Sequence, residues 1–222
     1  MTKKEERQKR QREKLAAELE RLENMKVYER EYKSCGLICG IDEAGRGPLA
    51  GPVVAGAVIL PHDSQILWLN DSKKLTARRR ELLYDEIMEK ALAVGIGVVN
   101  HERIDEINIL QATYEAMRQA VEKLGIVPDV LLNDAVTIPY VELKQVPIIK
   151  GDAKSVSIAA ASVIAKVTRD RMMVEMDQKY PGYGFGSNKG YGSAAHIAVI
   201  REKGPCEIHR KTFIRNFTSH AE

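Results

Sequence analysis

The sequence predicts an α/β protein, a mixed β-sheet covered by helices. Three observations carry that expectation. Two apolar, β-branched runs at 37–41 and 52–60 stand on either side of a Gly/Pro turn, the pattern of a hairpin. Further short apolar runs then alternate with stretches of helical periodicity, an order that lays helices on a sheet. A long Ala-rich segment at 155–179 has the composition of a helix buried along its first half and charged along its second.

Taken in order, residues 1–33 alternate in charge sign and contain no Gly or Pro. Leu15, Leu19, Leu22 and Met25 fall at helical spacing, so this segment reads as an exposed helical arm with a narrow apolar stripe. It is either a solvated helix or an arm that touches nucleic acid or a partner. Residues 34–222 form the expected main domain. Its first strand, 37–41, runs into Asp42-Glu43-Ala44-Gly45-Arg46-Gly47-Pro48, and 52–60 returns beside it. A helix is expected at 77–91 (Leu82, Leu83, Ile87, Ala91), a third strand at 93–100, and a helix at 109–124 (Leu110, Tyr114, Met117, Val121). Residues 130–132 and 146–149 are short strands, with Pro147 marking an edge or a strand start. The tail from Tyr180 to Tyr191 is dense in Gly and Tyr and leads into a helix at 193–203.

Composition removes several classes. In 222 residues the longest apolar run, 53–60, is far short of the ~20 residues that span a bilayer. The Lys/Glu-rich start has no apolar stretch of the kind that directs secretion. Three cysteines (Cys35, Cys39, Cys206) without a CxxC pair argue against a disulfide framework or a four-cysteine zinc site, and a reducing cytoplasm is the expected setting. The net charge of +3 resides in residues 1–33, with eleven Lys/Arg against eight Glu, so the rest of the chain is neutral. Partners must therefore be argued from local constellations. No Gly-Lys-Ser/Thr, HExxH or G-x-S-x-G is present, which disfavours a P-loop, a zinc hydrolase and a serine hydrolase.

The informative pattern is acids abutting apolar strands. Asp42 and Glu43 close the first strand, Asp134 follows 130–133, and Asp152 follows 148–151. If these strands are neighbours, the four carboxylates converge, and two such charges 4 Å apart repel by about 4 kcal/mol at an effective dielectric of 20. Protonation or cations must relieve that repulsion. An all-oxygen site suits Mg²⁺, with Mn²⁺ as substitute, and two such ions suit phosphodiester hydrolysis. The loop Gly45-Arg46-Gly47-Pro48-Leu49-Ala50-Gly51-Pro52 reads either as a tight turn or as a backbone that approaches a phosphate or sugar hydroxyl, with Arg46 adding charge. Lys73 and Lys74, followed by Arg78-Arg79-Arg80, are solubilising charges or backbone-phosphate contacts. Tyr191, between Gly190 and Gly192, either seals a helix end or stacks on a sugar or base. Asp170 rivals Asp152 as the fourth acid, although an ion pair is its plainer role.

Together these segments resemble the ribonuclease HII family. The run 40–54 (Gly-Ile-Asp-Glu-Ala-Gly-Arg-Gly-Pro-Leu-Ala-Gly-Pro-Val-Val) is similar to that family's opening motif. Asp71-Ser72-Lys73-Lys74-Leu75, the stretches 150–155 and 159–170, Lys189-Gly190-Tyr191-Gly192 and His209-Arg210 extend the likeness over about 36–217. The resemblance implies a ribonuclease H-like sheet with a helical C-terminal region. It implies cleavage of RNA paired with DNA, including 5′ of a single ribonucleotide in a DNA duplex, leaving 3′-hydroxyl and 5′-phosphate ends. By the same likeness Asp42, Glu43, Asp134 and Asp152 are the metal-binding catalytic acids. Gly45, Arg46 and Gly47 recognise the 2′-hydroxyl, and Tyr191 stacks on the adjoining deoxyribose. The expected partners are RNA/DNA hybrids and ribonucleotide-containing duplexes, acted on by a monomer with no membrane; no docking motif for a sliding clamp is evident. Two departures stand out: Ala135 replaces a common Gly after Asp134, and Thr212 a common Ser. The alternatives are a ribonuclease HIII-type enzyme, which typically carries Gly-Lys-Gly at the place of Gly45-Arg46-Gly47, and a non-catalytic hybrid-binding module.

Overall fold

The computed structural model describes residues 2–218; Met1 and residues 219–222, including His220 and the end of the expected main domain, lie outside the described residues. Five strands, β1 (Ile38–Ala44), β2 (Val53–Ile59), β3 (Ala93–Val99), β4 (Val130–Asp134) and β5 (Lys144–Ile148), form one sheet in the order β3-β2-β1-β4-β5. β1, β2 and β3 pair antiparallel, and β1, β4 and β5 pair parallel, which makes the sheet mixed as expected. β5 is an edge strand, so the missing N–H of Pro147 costs no interior ladder bond.

The helices are α1 (Lys3–Asn24), α2 (Val27–Glu31), α3 (Ala77–Lys90), α4 (His101–Glu122), α5 (Val156–Lys179), α6 (Phe185–Asn188), α7 (Ala194–Lys203) and α8 (Lys211–Thr218). Side chains fix their starts: Thr76, Asn100, Ser155 and Ser193 each accept a backbone N–H from the first turn of the helix that follows. α4 begins earlier than periodicity suggested and breaks at Asn108 (φ 67°), whose carboxamide oxygen accepts from Leu110 N at 3.0 Å and Gln111 N at 3.2 Å. The expected helix start at residue 109 is thus an internal recapping point.

α5 lies on one face of the sheet and α4 on the other, each separated from the strands by small residues. A β-carbon on Gly40 of β1 would stand 2.0 Å from the Ser157 carbonyl carbon of α5, and one on Gly97 of β3 would stand 1.8 Å from the Ala116 carbonyl oxygen of α4. Ala112, Ala116 and Ala120 of α4, and Ala159, Ala160, Ala161 and Ala165 of α5, are fully buried along these contacts. The Ala-rich half of α5 is therefore a matched surface for a Gly/Ala-lined sheet.

The N-terminal segment is two helices rather than one. The outer part of α1 is exposed, while Leu22 and Met25 join the core beneath α3 and α5. The buried Glu18 carboxylate accepts from Trp68 N at 2.6 Å and pairs with Arg21 at 2.7 Å, fastening α1 to the loop before Asn70. Glu29 of α2 accepts from Ser155 Oγ at 2.5 Å and Ser157 N at 3.0 Å, at the start of α5.

Because Gly97 faces helix backbone, Gly97→Ala should destabilise the protein by about 1–3 kcal/mol, roughly 3–10 °C in Tm. Gly47→Ala, whose added carbon meets nothing within 4 Å, should leave Tm unchanged in the same thermal unfolding experiment.

Candidate active site

β1 runs on through Asp42 and Glu43 to Ala44, pairing Asp42 with Gly56 and Glu43 with Ala55. The two acids therefore stand inside the ladder instead of closing the strand, because the turn begins only at Gly45. Parallel register sets Ile41 beside Asn133, which makes Asp42 and Asp134 the next residues on adjoining strands. Asp134 Oδ1 accepts from Gly151 N at 2.7 Å, and that bond fixes the short 3₁₀ turn Gly151–Ala153 carrying Asp152. Three distant stretches of chain thus deliver four carboxylates to one end of the parallel strands. Ala135, at φ 58°, occupies a left-handed conformation that glycine adopts without strain.

Electrostatics register the convergence. Burial, followed by the charges of Glu43 and Asp134, pushes the Asp42 carboxyl well above its ordinary range. Burial also raises Glu43; Arg46, whose Nη1 lies 3.3 Å from Glu43 Oε1, works against that rise while Asp134 adds to it. Asp152 is pushed up to about 6 by burial and by the neighbouring Asp71 and Asp134. Lys73 answers this charge: burial disfavours its ammonium, yet Asp42, Asp71, Asp152 and Glu43 together raise its pKa.

Two members of the cluster escaped the strand-end pattern. Asp71 lies in a turn rather than after a strand, accepts from Lys73 N at 2.9 Å, and hydrogen-bonds Asp152. Ser162 of α5 donates to the Asp42 carboxylate and stands 2.7 Å from Ser72 Oγ, from which it accepts, tying the Lys73 turn to the acids. Only a contact map would have revealed either. Asp170 stands apart from the cluster, held by Lys166 at 2.7 Å and Arg80 at 3.6 Å, which is the ion-pair role. Lys74 is exposed beside Lys73 in the same turn.

The loop joining β1 to β2 is held from below. Arg169 donates to the carbonyls of Pro52 (2.8 Å), Lys189 (2.9 Å) and Ala50 (3.1 Å). Arg210 donates to those of Gly45 (2.6 Å), Arg46 (2.9 Å), Gly51 (3.0 Å) and Pro52 (3.2 Å). Both guanidinium side chains are fully buried, and burial draws their pKa values down to about 10 and about 9, so both stay charged at neutral pH. Gly45, at φ 97°, has no room for a β-carbon, which would meet Arg169 Nε at 2.1 Å. Gly47 and the Arg46 side chain face the open side of the loop.

Tyr191 comes to the same rim through Gly190, whose carbonyl accepts from Leu49 N at 2.8 Å. Its half-exposed ring has Lys166 Nζ 5.7 Å and Arg169 Cζ 5.8 Å from its centre. Behind it, His196 Nδ1 lies 2.9 Å from the Tyr191 carbonyl and must donate to it, so His196 Nε2 accepts from His209 Nε2 at 3.0 Å. His209 Nδ1 then accepts from Cys206 N at 3.0 Å. His196 is accordingly a hydrogen-bonding histidine.

Among the described residues no three His, Cys, Asp or Glu side chains are gathered tightly enough to form a ready-made metal cage. The donor set nevertheless fits a hard divalent ion: the candidate ligating atoms are carboxylate oxygens, and the carboxyls of Asp42, Glu43 and Asp152 are raised by burial and then by neighbouring carboxylate charge, both of which a cation would relieve. Among the described residues no helix is long and apolar enough to cross a membrane.

Comparison with known proteins shows the family and the fold. A family model described as Ribonuclease HII matches residues 39–216. Ribonuclease HII of Lachnoclostridium phytofermentans is 67% identical over 207 residues, covering 93% of this chain and 82% of the relative. The crystal structure of ribonuclease H2 from Pyrococcus horikoshii is similar with a TM-score of 0.69 at 30% identity, over 82% of this chain and 97% of that one. The ribonuclease HII in a PCNA complex from Archaeoglobus fulgidus gives a TM-score of 0.69 at 28% identity, over 82% and 96%.

A carboxyl whose folded pKa is raised from 3.8 to about 6 adds stability that is complete below about pH 4 and is lost as pH rises through 6. In the metal-free protein Asp152→Asn should therefore raise Tm at pH 7.5, by about 2–4 °C for each kcal/mol relieved. That gain should shrink toward pH 4 and diminish on adding Mg²⁺, as followed by thermal unfolding in each buffer.

Proposed function

Because the chain belongs to the ribonuclease HII family, metal-dependent endoribonucleases that act on RNA paired with DNA, we propose that it also cuts 5′ of single ribonucleotides embedded in DNA duplexes, leaving 3′-hydroxyl and 5′-phosphate ends. The observation that carries this reading is the meeting of four carboxylates beside a loop whose carbonyls are bound from within. Asp42, Glu43, Asp134 and Asp152 are the catalytic acids and would hold two divalent ions, Mg²⁺ or Mn²⁺. Bound there, such ions supply Lewis-acid neutralisation of phosphate charge and activation of water.

The remaining work falls to the chain itself. With their carbonyls occupied, Gly45 and Arg46, together with Gly47, offer peptide N–H groups to the 2′-hydroxyl, the local feature that distinguishes a lone ribonucleotide from its neighbours. Arg46, resting against Glu43, is free to turn to the phosphate. Tyr191 presents its ring to the adjoining deoxyribose, with two cations behind it to hold the plane. Lys73 faces the acids and balances them until substrate arrives, and Lys74 meets backbone phosphate. Arg46, where ribonuclease HIII typically carries Lys, favours this reading over that alternative, and the intact acids favour it over a binding module. For partners we propose RNA/DNA hybrids and ribonucleotide-containing duplexes; the Archaeoglobus relative is complexed with PCNA, and a sliding clamp stays open as a partner here although the sequence offers no evident docking motif for it.

Incubating a duplex containing one ribonucleotide with Mg²⁺ or Mn²⁺ and mapping the cut ends tests the reading directly. Asp42→Asn should lose about 10²–10³-fold or more in rate while keeping most of its duplex affinity; full activity in that variant would falsify the catalytic assignment. Arg46→Ala should depress single-ribonucleotide cleavage more than it depresses general duplex binding. Equal losses in both would strip Arg46 of its junction role.

A further inference from the structure

Beyond the Tyr191 ring lies a cleft of about 780 Å³ between α3, α5 and the segment around α6, which the chemistry described above leaves unused. Its floor continues the face of α5 that begins at the acids. Ser162 touches Asp42, Lys166 stands one turn on, and Asp170 one turn beyond that, in steps of roughly 6 Å. Asp170 is shared by two cations, Lys166 at 2.7 Å and Arg80 at 3.6 Å, and all three side chains are about 15% exposed at the cleft floor. Arg80 also donates to the carbonyls of Ser72 (3.0 Å) and Leu75 (2.7 Å), linking this cleft to the turn that carries Lys73. Arg171, paired with Glu81 at 2.5 Å, lines it as well, with Glu175 and Lys189.

We propose that this cleft is a phosphate subsite for the DNA side of the junction, in which a backbone phosphate takes the place of the Asp170 carboxylate between Lys166 and Arg80. The inference rests on the stacking role given to Tyr191 above. A strand whose sugar lies on that ring leads past Lys166, which faces both the ring and the cleft. The charge count favours exchange: the lining carries four cations (Arg80, Lys166, Arg171, Lys189) against three carboxylates (Glu81, Asp170, Glu175), Arg171 is already paired with Glu81 at 2.5 Å, and at the floor two cations share the single carboxylate of Asp170, so a positive charge is left over for an anion. Asp170 then acts as a resident stand-in that keeps Lys166 and Arg80 in place while the cleft is empty of nucleic acid. Its release costs one shared ion pair and returns charge-assisted bonds from both cations to phosphate.

Binding measurements on the non-cleaving Asp42→Asn protein with Mg²⁺ test this. Two duplexes with one ribonucleotide are compared, one ending about two base pairs beyond it on the 3′ side and one continuing for about ten. Asp170→Asn, which removes the competing charge with little change of shape, should tighten the long duplex about threefold and leave the short one within about twofold. Lys166→Gln should weaken the long duplex about fivefold and lower its salt slope by about one. A purely structural ion pair predicts the opposite for Asp170→Asn, a loss of Tm with no gain in affinity, and that result overturns the subsite. Equal shifts on both duplexes overturn it too. Failure of the unaltered protein to cut either duplex removes the substrate reading itself and the subsite with it, whereas cutting of both without any length-dependent response removes the subsite alone.

Discussion

The arrangement depends on two buried guanidinium groups that pair with no carboxylate among the described residues. Arg169 and Arg210 are fully buried, and each neutralises its desolvation through backbone carbonyls alone, three for Arg169 and four for Arg210. Those carbonyls belong to the β1–β2 loop and to Lys189, next to Tyr191. One helix from the middle of the chain and one residue near its end therefore clasp the same eight-residue turn. Without this clasp, the carbonyls of Gly45, Ala50, Gly51 and Pro52 would lie buried without these donors, at about 1–3 kcal/mol each.

The clasp also sets a contrast in sign. On one side of the loop stand acids raised by burial and by one another's charge; beneath it lie two cations lowered by burial but still ionised. Neither group neutralises the other by direct pairing, because the loop backbone stands between Arg210 and Glu43. The outcome is a surface prepared for a phosphodiester: positive beneath the backbone, negative where hard cations would bind.

Much of this was legible in the chain, and the failures have physical reasons. The acids at 42, 43, 134 and 152 are readable because polar groups beside apolar strands are costly and therefore informative. The strand boundary was misplaced because β-pairing tolerates acids wherever the partner strand continues, as Gly56 and Ala55 do here. Asn108 broke a helix that periodicity placed only from 109, since the chain caps itself there with a side chain. Asp71 and Ser162 belong to the site by tertiary contact, and neither a turn aspartate nor a serine in an Ala-rich helix carries a one-dimensional signal. Arg169 and Arg210 fall within the stretches that resemble the family, but their role was hidden: an arginine in a charged stretch reads as surface, and nothing local reveals that its partners are carbonyls far away in the chain.

The glycine and alanine contacts between sheet and helices have a mechanical meaning. Where Gly40 meets Ser157 and Gly97 meets Ala116, main chain rests directly on main chain, with no cushion of rotatable side chains to absorb a shift. α5 and β1 are coupled like two plates bolted face to face, and Ser162 and Asp42 ride on opposite plates at the same bolt. Distortion of the helix by any ligand along its outer half would reach the strand nearly undamped, so the fold trades compliance beneath the acids for fidelity in where they stand.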